Sequence, residues 1–334
     1  MSKIKTVIMA DDVSFHQGDI VEFVYGADRC EHIAKQTDLH PTRITSKNIE
    51  DEIDNLGQVE AIFSCWGMPS LDAKMIEKMP SLKAVFYAGG SVDHFARPFL
   101  DKGIKVINAI EANAIPVAEF CLAQILLSLK GAYRNMRLCK TGPWIQSDMP
   151  VGKGAYGETI GLIGVGFVSR HLLSLLKPLN LRVIAVSPEL SENPGDAHTL
   201  GIHELVSIEE VFAQSYVISN HLCETKENYK ILKESHFKSM RQDATFINTG
   251  RGTQVDEEGL VKTLKQRPDL NALLDVQHPE PPPIGSPFYQ LENVYMTSHI
   301  AGSSNDEIQR MADFIIEDFE RWRAGRPLRN KVVS

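Results

Sequence analysis

Short apolar runs alternate with longer amphipathic stretches along almost the whole chain, the pattern of strand-helix-strand units built on a parallel sheet. A first series of strands is predicted at Lys5 to Ala10, Ala61 to Ser64, Leu82 to Ala88 and Lys105 to Asn108. Helical spacing over Ile49 to Leu56 and Asp72 to Met79 fills the gaps, with Pro69 and Pro80 punctuating the turns. After Asn108 the rhythm breaks, and Val117 to Arg134 reads as the longest helix of the chain. A second series follows, with strands at Thr159 to Ile163, Arg182 to Val186, Tyr216 to Ser219, Ala244 to Asn248, Ala272 to Asp275 and Val294 to Met296. Helices are predicted at Ser169 to Lys177, Ser207 to Ala213, Glu257 to Gln266 and, closing the chain, Asp306 to Arg323. The segment Glu280 to Pro287, with Pro281, Pro282, Pro283 and Pro287, reads as an ordered loop.

Length sharpens this picture, because 334 residues exceed one ordinary core and point to two domains. With 43% apolar and 23% charged residues the composition is that of a folded globular chain. Lys and Arg number 35 against 43 Asp and Glu, and the net charge of −8 argues against nucleic acid or an anionic membrane as the main partner. The N-terminal run Thr6 to Ala10 is short and ends in Asp11 and Asp12, unlike a secretory signal. Ile115 to Leu129, interrupted by Glu119 and Gln124, is expected to be too short and too polar to span a bilayer, so a cytoplasmic location is the expectation. Five cysteines without a Cys-x-x-Cys pair are expected to be reduced thiols, with no metal site.

The sharpest local signal is Thr159-Ile-Gly161-Leu-Ile-Gly164-Val-Gly166-Phe167-Val168-Ser169-Arg170, a strand running through a glycine pair into a helix. Gly164 permits a tight turn, and Gly166 lets backbone approach a pyrophosphate at the positive end of the helix. Ser169 stands where a third glycine is usual, and is small enough for close helix-strand packing. At the end of the next strand Ser187 occupies the place of the acidic residue that usually binds the ribose, with Glu189 two residues on. No Lys or Arg falls between Ser187 and His198, whereas Glu189, Glu192 and Asp196 would repel a 2′-phosphate. NAD is therefore favoured, with NADP kept open by Arg170 and Arg182.

Three later segments each put a chemically capable residue just past a strand's carboxyl end, where open α/β sheets bind ligands. These are Asn248-Thr249-Gly250-Arg251-Gly252, then Asp275-Val-Gln-His-Pro-Glu280-Pro281, then Ser298-His299-Ile-Ala-Gly302. Taken singly, each has a bland reading as a surface cation, a solvated loop acid or a core histidine. Together they match the needs of 2-oxo acid reduction. Arg251 can hold a carboxylate and polarise a carbonyl, and His299 can donate a proton while Glu280 keeps it charged.

On these motifs the chain resembles the D-isomer-specific 2-hydroxyacid dehydrogenase family over essentially its whole length. Val117-Ala118-Glu119-Phe120 resembles the helix that opens the family's cofactor domain. His221-Leu222-Cys223-Glu-Thr225 resembles its His-x-Pro-x-Thr loop, with Cys223 in place of proline. The resemblance implies an α/β fold of two Rossmann-like or flavodoxin-like domains with doubly wound parallel sheets and a cleft between them. It places the substrate domain at 1–108 plus 299–334 and the dinucleotide domain at 109–298. It implies catalysis by Arg251, Glu280 and His299. The cofactor would be lined by Gly164, Gly166, Phe167, Val168, Ser187, Leu222, Cys223, Thr225, Thr249, Gly250, Asp275, His299 and Gly302, with Asp275 on the nicotinamide carboxamide. It further implies a substrate carboxylate held by Gly89, Gly90 and Ser91 together with Arg251, and a homodimer formed through the long helix.

The expected activity is reversible reduction of a small 2-oxo acid to the D-2-hydroxy acid. Phe63 to Pro69 contains no cation, which disfavours a phosphorylated substrate, and Trp66 and Met68 could wall an apolar pocket. Trp66 could equally serve only as packing. The rival from another class is a dinucleotide-sensing, corepressor-like regulator on the same fold. Formate oxidation is disfavoured because that branch has glutamine where Glu280 stands.

Overall fold

Strands buried on both faces of a parallel sheet are unbroken apolar runs rather than alternating ones, and the chain builds two such sheets. The computed structural model describes residues 3–15, 18–192, 194–304 and 306–329. It divides into two units, Met1–Asn113 with Ser303–Ser334, and Ala114–Gly302.

In the first unit β1 (Lys5–Met9) is followed by a short antiparallel ribbon of β2 (Ser14–Phe15) and β3 (Gly18–Asp19). Then come β4 (Asp38–Leu39), β5 (Ala61–Cys65), β6 (Ala84–Ala88) and β7 (Lys105–Asn108). The sheet order is β4-β1-β5-β6-β7, every pairing parallel. One apolar layer, with Val7, Ile62, Val85 and Phe99, covers one face, and Phe63, Phe86 and Ala88 face a second layer. That second layer is closed by the helix Asp306–Arg323, whose Phe319 meets the rings of Phe63 at 5.0 Å and Phe86 at 5.4 Å.

The second unit orders seven strands as β10-β9-β8-β11-β12-β13-β14, again all parallel. They are β8 (Thr159–Ile163), β9 (Arg182–Val186), β10 (Glu204–Leu205), β11 (Val217–Asn220), β12 (Thr245–Asn248), β13 (Asn271–Leu274) and β14 (Val294–Met296). All predicted strands form, with ends displaced by at most two residues. Strand order reverses between β8 and β11, so the carboxyl ends of these strands flank the switch point where such sheets bind ligands.

The long helix differs from expectation. It runs Ile110–Leu129 and contains Pro116, which the linear pattern treats as a helix boundary. It ends before Gly131, whose φ is +69 and beyond which a separate helix, Ala132–Cys139, begins. Gly131 is required there, since a Cβ would fall 2.6 Å from the backbone N of Gly152. The first helix is longer than the stretch 115–129 read from the sequence: by length and composition alone its 20 residues, with an 18-residue window of mean hydropathy 1.6, are long and apolar enough to cross a membrane. Half of that window is buried inside the fold, where Val117, Ala118, Cys121, Ile125 and Leu129 pack in the second unit's core.

Candidate active site

β8 runs into Gly164, whose φ of +87 and the 3.1 Å from its would-be Cβ to the His221 carbonyl exclude a side chain. Gly166 is the N-cap of the helix Phe167–Leu176; it offers no side-chain cap, and a Cβ there would meet nothing within 4 Å. The first-turn amides of this helix, including those of Phe167 and Val168, therefore retain their pull on an anion. Ser169 is buried and donates Oγ to the Gly164 carbonyl at 2.6 Å, so the residue in the third glycine's place ties the turn to its helix. Past β9, Ser187 donates to Glu189 Oε2 at 3.0 Å, fixing a carboxylate just beyond the carboxyl end of that strand. Open amides, a glycine without obstruction and an anchored acid together fit a dinucleotide.

A buried amide network sits past β11 and β12. Asn220 Nδ2 donates to Asn248 Oδ1 at 2.9 Å and to Gln254 Oε1 at 2.8 Å. Gln254 Nε2 in turn donates to the carbonyls of Leu222 and Cys223 at 3.0 and 2.9 Å, while its Oε1 accepts from Arg251 N at 3.1 Å. One side chain thus holds the Leu222–Thr225 loop against the Arg251 turn. Sequence reasoning missed Asn220 and Gln254; the available signal was an amide residue, without charge, at or just past a buried strand end. Beside them Cys121 Sγ contacts Thr249 Oγ1 at 3.4 Å, and Thr249 Oγ1 contacts His221 Nδ1 at 3.2 Å. Burial pushes the Cys121 thiol up to about 12 and pulls the His221 imidazole down to about 4, so both stay uncharged at neutral pH.

The structure brings Glu280 and His299 together. His299 Nδ1 lies 2.7 Å from Glu280 Oε1, and cis peptide bonds at His278–Pro279 and Glu280–Pro281 flank the glutamate. His299 has φ +59, a left-handed conformation that a non-glycine residue holds only when its surroundings fix it. Asp275 does the fixing. Its carboxylate, 2% exposed, accepts from Thr297 Oγ1 at 2.5 Å, Ile300 N at 2.9 Å and Ala301 N at 3.1 Å, while its carbonyl accepts from His299 N at 3.0 Å. The Arg251 turn abuts the Glu280 loop, because a Cβ on Gly252 would lie 2.3 Å from the Gln277 carbonyl oxygen. Arg251 Nη1 donates to the Gly250 carbonyl at 2.7 Å, and its Nε faces Glu224 Oε2 at 3.4 Å.

In the first unit the loop after β6 is braced by Asn108 Nδ2 donating to the Gly90 carbonyl at 3.0 Å and by Ser91 Oγ donating to Asp93 at 2.8 Å. Gly89 leaves no room for a Cβ beside the Tyr87 ring. Trp66 is partly buried and packs against both apolar layers of that unit, with Met68 buried beside it.

Residues 122–301 match the model of the D-isomer specific 2-hydroxyacid dehydrogenase family, NAD binding domain. The chain belongs to this family. Among its relatives are the D-3-phosphoglycerate dehydrogenase of Archaeoglobus fulgidus, 31% identical over 86% of this chain and 54% of that protein. The glyoxylate reductase of Korarchaeum cryptofilum is 28% identical over 80% of this chain and 82% of that protein. The chain thus spans about half the length of the former. Rhodotorula graminis D-mandelate dehydrogenase superposes with a TM-score of 0.81 at 19% identity, covering 99% of this chain and 98% of that one, which shows the shared fold. Membership of the family identifies the glycine turn and its uncapped helix as part of an NAD-binding domain.

Proposed function

We propose that this chain is an NAD-dependent oxidoreductase interconverting a small 2-oxo acid and the corresponding D-2-hydroxy acid. The observation that carries the reading is the His299–Glu280 pair at 2.7 Å, held past the ends of β13 and β14 in the same unit as the glycine turn. NADH, when bound, supplies the hydride that the carbonyl carbon accepts. Amides of the Phe167 turn hold its pyrophosphate, and Glu189 its adenosine ribose. Arg251 binds the substrate carboxylate and draws electron density toward the carbonyl oxygen. The carboxylate of Glu280 accepts a hydrogen bond from Nδ1–H of His299 and so stabilises the imidazolium, leaving the Nε2 proton to pass to the developing alkoxide. Asp275, Asn220 and Gln254 act through these groups by fixing the turns that carry them.

NADH oxidation with a panel of 2-oxo acids tests the proposal; turnover of none of them, with NADH or NADPH, refutes it. The carboxylate of Glu189 supports NADH over NADPH. Leu127, Met136, Trp144, Ile145, Val151 and Tyr156 are all exposed on the long helix and the segments after it, which supports burial of this surface in a homodimer. Light scattering on the eluting protein distinguishes a dimer from a monomer.

A further inference from the structure

The guanidinium of Arg251 carries a second, uninvited carboxylate. Glu224 Oε2 faces Arg251 Nε at 3.4 Å, and the other oxygen, Oε1, accepts from Thr253 Oγ1 at 3.1 Å. Glu224 comes from the Leu222–Thr225 loop and Thr253 from the turn after Arg251, so the acid is tethered at both ends of the arginine's reach. Both side chains remain open to solvent, 38% for Arg251 and 52% for Glu224. Nε is directed at Glu224 and one Nη1 hydrogen at Gly250; among the described residues the other three N–H groups of Arg251 have no partner. A substrate carboxylate can therefore bind the outer edge of the guanidinium without displacing Glu224.

We infer that Glu224 is a specificity-determining residue that restricts this site to 2-oxo acids carrying one negative charge. The inference rests on the proposed 2-oxo acid activity. Every substrate presents the same 2-oxo carboxylate to Arg251, so the repulsion between that group and Glu224 is common to all. A second anion on the substrate adds a repulsion of its own. For a second anion taken to lie about 7 Å from Glu224, Coulomb's law gives roughly three- to fiftyfold discrimination between the dielectric of water and that of a protein surface. Dicarboxylates and phosphorylated acids are the classes excluded. The relatives named D-3-phosphoglycerate dehydrogenase carry a phosphorylated substrate in their name; on this inference their substrate is not this chain's.

The test compares 2-oxovalerate with 2-oxoglutarate, acids of similar length that differ by one charge, in wild type, Glu224→Gln and Glu227→Gln. Glutamine keeps an acceptor for Thr253, and Glu227 is a nearby exposed acid outside the site. Two readouts are taken: the ratio of kcat/KM values with NADH, and the ratio of dissociation constants by calorimetry without cofactor. Glu224→Gln is expected to shift both ratios about tenfold toward 2-oxoglutarate, and Glu227→Gln by less than twofold. Unchanged ratios in Glu224→Gln, or an equal shift in Glu227→Gln, overturn the inference. Because calorimetry needs no turnover, it decides the role of Glu224 even where absent catalysis has already refuted the proposed activity.

Discussion

Replacing Asp275 by asparagine tests how His299, the proposed proton donor, is held. The carboxylate is buried and accepts three hydrogen bonds, two at Oδ1 from Thr297 Oγ1 and Ile300 N and one at Oδ2 from Ala301 N. Asparagine keeps one acceptor oxygen and turns the other into a donor. In its better orientation the oxygen stays with Ile300 N, the amide faces the Ala301 N–H, and one bond is lost outright. Hydrogen bonds to a charged group contribute about 1.5–3 kcal/mol each against about 1 kcal/mol for neutral ones, so exchanging three charged bonds for two neutral ones costs the turn at least about 2.5 kcal/mol. That matches the roughly 1–3 kcal/mol needed to keep a residue such as His299 in a sparsely populated backbone region. The turn then relaxes, and amide protection over 297–302 falls on the order of a hundredfold, with kcat falling at least tenfold. Hydrogen exchange followed by mass spectrometry, on protein without cofactor, separates this anchoring role from any contact of Asp275 with nicotinamide. Protection and kcat both within twofold of wild type would show that the carboxylate does not hold the turn.

His299→Ala is expected to lower kcat by roughly a hundredfold or more, the usual scale for losing a general acid; near-full activity in a stopped-flow NADH assay would remove it from the mechanism. Stability should decline in acid through His221. Its folded pKa of about 4 lies below the ordinary imidazole value of 6.5, so the unfolded chain takes up the proton first. The contribution is complete above pH 6.5 and lost as pH falls to about 4, reaching about 3 kcal/mol. Urea titrations should show that loss in wild type and a flatter profile in His221→Asn; parallel profiles would contradict it. Gly164→Ala meets both the positive φ and the 3.1 Å approach to the His221 carbonyl, and is expected to cost about 1–3 kcal/mol and weaken NADH binding, measured by fluorescence titration.

Most strands were legible because parallel strands are apolar on both faces, and β8, β9 and β14 run between the predicted residues. The helix Gly26–Gln36 escaped notice because Ile33 is its one buried apolar side chain, too little for a periodic signal. Gly131 was illegible for another reason: the chain that forces its conformation arrives 21 residues later, at Gly152. At the site, residue type and strand-end position sufficed to propose Arg251, Glu280 and His299. What those positions did not reveal was support. Gln254 holds two loops through hydrogen bonds to backbone carbonyls, and the Asp275 carboxylate turns toward Ile300 and Ala301 amides, contacts that follow only from the folded path.

The single direction of β8 through β14 separates what can be varied from what cannot. Gly164, Ser187, Leu222, Gly250, Asp275 and His299 follow β8, β9, β11, β12, β13 and β14 by one to three residues, so all lie at one rim of the sheet. The returns at the opposite rim, such as Arg267–Leu270 between the helix Glu257–Gln266 and β13, carry none of the chemistry. A tag or reporter grafted into such a return would be borne by the scaffold alone. Selection on substrate choice, by contrast, can revise one rim loop at a time, each descending from its own strand, without rebuilding the core that holds the others.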